Sequence, residues 1–141
     1  MTIYADTSFF VSIYVMDAHS ADADQLLSSG GRPFLTPLHS AEWAHAIAQQ
    51  VFRRQMSTAE ANRVRRELDG DRSTGVWETV GVPEAAMDIC TELGFRYGPK
   101  LGVRTLDTLH VACALELRAE QFWTFDDRQT KLAKAVGLET R

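Results

Sequence analysis

Cysteine is nearly absent from this chain: Cys90 and Cys113 are the two in 141 residues, and they form no CxxC pair. Both fall in helical, apolar contexts and read as small reduced core residues of an intracellular protein. Long apolar runs are missing too, since no uncharged stretch approaches the roughly 18 residues that a membrane span needs. The opening "MTIYADTSFF" has no basic region and carries an acid at position 6, so no secretory signal is expected. No internal repeat of solenoid period and no low-complexity segment is present. Positive charge is not in excess either. The formal net charge is −4, which argues against a nonspecific polyanion binder. What remains is 45% hydrophobic and long enough for one good core. The expectation is a single cytoplasmic domain spanning residues 1–141.

Strand-like and helical patterns alternate along the chain. "TIYA" (2–5), "PFLT" (33–36), "VWETV" (76–80) and "QFWT" (121–124) read as strands. Helices are expected over 7–15, over 18–31 with Ser20 as N-cap and Gly30-Gly31 as stop, and from Pro37 to about Arg54. Further helices are expected over 57–70 with a Ser57–Glu60 capping box, from Pro83 to about Tyr97, over 104–117, and from Asp127 to Val136. In "RTLDTLHVACALEL" (104–117), Leu106, Leu109, Cys113, Ala114 and Leu117 recur at helical steps as one apolar stripe. Strands separated by helices of this length imply an α/β fold with a mostly parallel central sheet and helices on both faces.

In such a fold ligands bind beyond the carboxyl ends of the strands, and acids are found there. Asp6 follows the first strand, Asp126 follows the last clear one, Glu42 lies in the first turns of the helix after "PFLT", and Asp107 heads its own helix. Each acid also has a purely structural reading. Asp6 suits a helix cap, Asp126 forms a D-x-x-Q capping box with Gln129, Asp107 favours a helix dipole, and Glu42 suits a helix surface. Capping and ligation are compatible, because a capping carboxylate keeps lone pairs. Four acids at one sheet edge would raise one another's pKa and destabilise the fold without a cation. Hard carboxylates without thiolate or paired histidine suit Mg²⁺, with Mn²⁺ able to substitute.

"YADTSFF", "SAEWAHA", "RTLDTLHVACAL" and "FWTFDDRQTKLAKAVGL" together resemble the motifs of PIN domains, and of the VapC-type toxins in particular, in the right order across nearly the whole chain. The resemblance implies a three-layer α/β/α domain in which Asp6, Glu42, Asp107 and Asp126 hold divalent metal, with Asp126 rather than Asp127 entering the site. It implies that Thr7 or Ser8 and Thr124 line the same pocket. It further implies a Mg²⁺-dependent endoribonuclease that hydrolyses RNA phosphodiester bonds, often in a tRNA or rRNA, a cognate antitoxin as partner, and a homodimer.

Two alternatives stand beside that reading. One is a non-catalytic RNA-binding scaffold of the same fold. The other is a haloacid-dehalogenase-type phosphatase, which wants a second acid two residues after Asp6, where this chain has Ser8. No GxxxxGK[ST] loop, HExxH or GxSxG elbow is present. Histidines 19, 39, 45 and 110 are scattered, with His45 and His110 on the helix sides of Glu42 and Asp107. Trp43, Trp77 and Trp123 read as core or interface anchors. Six of the 15 basic residues (Arg53, Arg54, Arg63, Arg65, Arg66 and Arg72) crowd into 53–72, either as a solvated hairpin face or as a rim for phosphates.

Overall fold

The structure, a computed structural model, describes residues 1–141. In chain order the elements are β1 (Ile3–Ala5), α1 (Thr7–Tyr14), α2 (Ser20–Ser28), β2 (Phe34–Leu35), α3 (Pro37–Phe52) and α4 (Thr58–Ser73). They continue with β3 (Glu78–Thr79), α5 (Ala86–Leu101), α6 (Thr105–Glu116), β4 (Gln121–Trp123), α7 (Asp127–Ala135) and β5 (Glu139–Thr140). Every strand pair is parallel, as expected of an α/β chain. The pairing divides into a three-stranded sheet, β1-β4-β5, and a two-stranded one, β2-β3. The division follows two compact units, one made of Met1–Asp6 with Val82–Arg141 and the other of Thr7–Gly81. No helix is long and apolar enough to cross a membrane.

In the first unit, β4 is the central strand. Ile3, Tyr4 and Ala5 pair with Gln121, Phe122 and Trp123, and β5 flanks the other side. Tyr4 and Phe122 stack with ring centroids 5.8 Å apart and both are fully buried. The helix α6 departs from the expected single apolar stripe. Residues 108–114 are buried without a break, while Leu106 is exposed. A helix covered on all sides carries small or partnered residues on every face. Here those are Thr108, His110, Ala112, Cys113 and Ala114. The preceding helix α5 begins at Ala86 rather than Pro83, because the Pro83 carbonyl closes a turn with the Ala86 N–H at 3.0 Å. It runs on past Tyr97 to Leu101, with Pro99 inside, and stops where Gly102 takes a left-handed φ of 63°.

In the second unit, α3 starts as the sequence suggests, with Pro37 in its first turn. Its cap is a variant of the usual box. The Thr36 hydroxyl accepts from the His39 N–H, and the Thr36 N–H donates to His39 Nδ1 at 3.0 Å. Ser57 caps α4 by accepting from the Glu60 N–H at 3.1 Å. Ser20 is not the cap of α2, because His19 holds that position. The Ser20 hydroxyl accepts from the Asp17 N–H and donates to the Ser12 carbonyl. Phe9, Phe10 and Trp77 meet edge to face, and the Trp77 indole N–H donates to the Tyr14 hydroxyl at 2.7 Å. That hydroxyl donates to Asp71, and burial, followed by the Asp71 hydrogen bond, pushes the Tyr14 phenol above its usual range. Of the six clustered arginines, Arg63 pairs with Glu67 and both Arg65 and Arg72 pair with Asp69, all on α4. Those three belong to a solvated helix face.

Both cysteines are free and buried, and desolvation raises both thiols, so they stay protonated and inert. All three tryptophans are buried. Removing the Phe122 ring should cost about 3–5 kcal/mol, because its site is fully enclosed. Phe52→Ala, at a side chain 83% exposed, should shift stability by no more than about 0.5 kcal/mol. Paired urea denaturation curves check the contrast.

Candidate functional site

The parallel pairing of β1 with β4 brings the carboxyl ends of both strands together. The Asp6 N–H extends the ladder by one bond, to the Trp123 carbonyl at 2.9 Å. Asp6 leaves β1 at that end, and its side chain is mostly buried. Its Oδ1 lies 3.9 Å from Nε2 of His110, and Nδ1 of the same ring pairs with the Tyr4 hydroxyl at 2.7 Å. His110 is fully buried, so it backs Asp6 from the core side.

Asp126 follows β4 and caps α7, its Oδ1 accepting from the Gln129 N–H at 2.8 Å. The cap predicted from D-x-x-Q is present, although Gln129 does not return the bond. Instead the Asp126 N–H donates to the Thr124 hydroxyl, and that hydroxyl donates to Gln129 Oε1 at 2.6 Å. The Gln129 amide then donates to the Asp107 carbonyl at 3.1 Å. One fully buried glutamine thus stitches the first turn of α7 to the first turn of α6. Asp127 is exposed. Asp107 itself is half-buried, and its Oδ2 accepts from Arg104 Nε at 3.1 Å. Hydrogen bonding to Asp107, then its charge and those of Asp126 and Asp6, holds the Arg104 guanidinium above even its usual range. One cation therefore feels three of the four predicted acids.

Glu42 belongs to the second unit. Its Oε1 accepts from the Thr7 hydroxyl at 2.8 Å, and Thr7 is the residue after Asp6 in the chain. Thr7 and Thr124 are buried, while Ser8 is partly exposed. His45 is exposed and pairs with the Ala41 carbonyl. As a donor set the acids fit a hard divalent cation, being carboxylates only, while both thiols are buried within helices. The side chains as they lie form no group of three or more His, Cys, Asp and Glu that could hold a metal ion.

Sequence reading missed Arg104 and the role of the Gln129 side chain. The signal for Arg104 was its place three residues before Asp107, where a helix brings two side chains together.

The sequence profile of the PIN domain family matches residues 3–135. No curated protein matches the chain in sequence. Among solved structures it is similar to VapC20 of Mycobacterium tuberculosis, described as a sarcin–ricin-loop-cleaving toxin, at 17% identity and a TM-score of 0.70, covering 96% of this chain and 95% of that one. It is also similar to FitAcB of Neisseria gonorrhoeae, at 14% identity and a TM-score of 0.73, over 99% and 96% of the two chains. A third likeness, at 14% identity and a TM-score of 0.69, is to VapBC2 of Rickettsia felis bound to a promoter DNA fragment, over 100% and 98%.

Two substitutions separate capping from charge at Asp126. Asparagine caps as well as aspartate, so Asp126→Asn should leave the melting temperature nearly unchanged, whereas Asp126→Ala should lose about 1 kcal/mol with the cap. Thermal melts of both variants, followed by circular dichroism, test this.

Proposed function

Because the chain belongs to the PIN domain family, we propose that it is a metal-dependent endoribonuclease serving as the toxin of a toxin–antitoxin pair. The reading is supported by backbone placement: the β1–β4 ladder ends both strands at one edge, ahead of Asp6 and Asp126, and the Gln129 amide ties the first turn of α7 to the Asp107 carbonyl. Carboxylates gathered at one edge repel one another and are a costly arrangement unless a cation is to be held. In this proposal Asp6, Glu42, Asp107 and Asp126 hold Mg²⁺, or Mn²⁺ in its place. Bound metal supplies charge neutralisation at a scissile phosphate and lowers the pKa of an attacking water.

The chain's own residues do the positioning. The Asp126 cap fixes one carboxylate and leaves its second oxygen with lone pairs. Thr7 orients Glu42, Thr124 holds the Asp126 N–H and Gln129 in place, and Thr7, Ser8 and Thr124 line the pocket in this reading. The substrate proposed is RNA, single-stranded or looped, of the tRNA or rRNA class, and the cytoplasm is the compartment.

An antitoxin is proposed as the partner, consistent with the VapBC and Fit likenesses. A groove of about 410 Å³ between α3 and α4 suits an apolar segment of such a chain, walled by Trp43, Ile47, Ala48, Ala61 and Leu68. The Trp43 indole N–H is buried there without an acceptor, and a peptide carbonyl would supply one. A homodimer is proposed as well. The exposed Met87 and Phe95 of α5 suit burial against a second copy.

The ends of the cut RNA test the chemistry. Direct attack by water should leave a 5′-phosphate and a 3′-hydroxyl, and a 2′-deoxy sugar at the cleavage position should still be cut. Asp107→Asn should slow cleavage by about a hundredfold or more while the protein remains folded. Excess EDTA should stop it. A 2′,3′-cyclic phosphate or undiminished cutting in EDTA would overturn the metal reading.

A further inference from the structure

We propose that Arg104 is a resident counter-cation that competes with divalent metal for Asp107 and, once displaced, grips an RNA phosphate. This rests on the metal-dependent ribonuclease reading above and assigns a role to a residue that reading does not use. The geometry comes first. Arg104 is the N-cap residue of α6, extended at φ −90° and ψ 159°, and its side chain makes no capping bond. Instead it folds over the first helical turn so that Nε reaches Asp107 Oδ2 at 3.1 Å. That oxygen is one of only two through which Asp107 can ligate anything. Asp126 and Asp6 act on the same guanidinium from beyond.

The electrostatic sense of this follows directly. The like charges of Asp107, Asp126 and Asp6 repel one another, and a single positive charge beside them relieves the repulsion. The same positive charge opposes the entry of a second cation. Exposure makes the hold a light one. The Arg104 side chain is 77% exposed, and exposed ion pairs contribute little, so a divalent ion with twice the charge displaces it readily. Displacement does not send the side chain away, because it stays tethered at the head of α6. A planar guanidinium freed beside the acids faces an incoming phosphodiester with the bidentate geometry that such groups share. An ordinary helix-surface pair three residues apart, as between Arg72 and Asp69, has no such second acceptor.

The consequence is a trade-off of opposite signs at one residue. Mn²⁺ alone, titrated calorimetrically into the wild type, Arg104→Gln, Arg104→Lys and Asp107→Asn, reads the first half. Arg104→Gln should bind Mn²⁺ roughly threefold to tenfold tighter, the scale on which an exposed charge acts on a divalent ion. Arg104→Lys, which keeps the charge, should stay near the wild type. The second half is the KM for an RNA substrate at saturating Mn²⁺, which should rise by a comparable factor in Arg104→Gln. Melting curves confirm that each variant is folded. Should Arg104→Gln bind Mn²⁺ no better, or worse, while Asp107→Asn loses binding, the competition is overturned and the metal reading stands. Tighter Mn²⁺ with an unchanged KM would overturn the phosphate role. If Asp107→Asn binds Mn²⁺ as the wild type does, the acidic site itself is misassigned and this proposal falls with it.

Discussion

The parallel ladder between β1 and β4 is the interaction on which the candidate site depends. Three residue pairs, Ile3 with Gln121, Tyr4 with Phe122 and Ala5 with Trp123, fix where both strands end. The added bond from the Asp6 N–H to the Trp123 carbonyl fixes the first acid's backbone, and Asp126 follows three residues after Trp123. Parallel pairing sends both chains out of the sheet at the same edge, which is why acids placed just after two strands become neighbours. A one-residue slip would turn Tyr4 away from Phe122 and His110, and the register is held by that fully buried cluster.

Around that ladder, polar groups are buried only where they are answered. Gln129 is fully enclosed, and its amide spans the Thr124 hydroxyl and the Asp107 carbonyl. His110 is enclosed between the Tyr4 hydroxyl and Asp6. Satisfied networks of this kind restrict rotamers. The same economy explains α6, whose faces are all covered. Its small residues admit neighbouring elements closely, His110 backs Asp6, and Asp107 pairs with Arg104, while Glu116 at the far end is exposed.

The architecture and the acids were legible in the sequence because each leaves a local mark. Acids sit at strand ends and in first helical turns, Pro37 opens α3, Ser57 and Asp126 accept the expected cap bonds without the reciprocal half of either box, and Gly30 and Gly31 take positive φ after α2. What was not legible depends on tertiary context. The strand β5 holds two residues, Glu139 and Thr140, with no alternation to detect, and exists because β4 has an open edge beside it. The stripe read into α6 failed because a helix enclosed on all sides has no polar face to contrast with. Pro83 carries a helix-start signal in the sequence, yet its carbonyl closes a turn and α5 begins at Ala86. Arg104 was passed over because its meaning lies in the charges of Asp126 and Asp6, which come near it only in the folded chain.

The wide sequence separation of the β1–β4 pair also sets an order of events in synthesis. Ile3 waits for Gln121, so the first strand emerges more than a hundred residues before its partner exists. Contacts of that separation form late, after the local helices, because loop closure must precede their reward. A chain made from its N-terminus therefore cannot set Asp6 beside Asp126 until residue 126 has emerged, and a product truncated before that point lacks Asp126. The four acids come together as a set only once β4 has paired with β1.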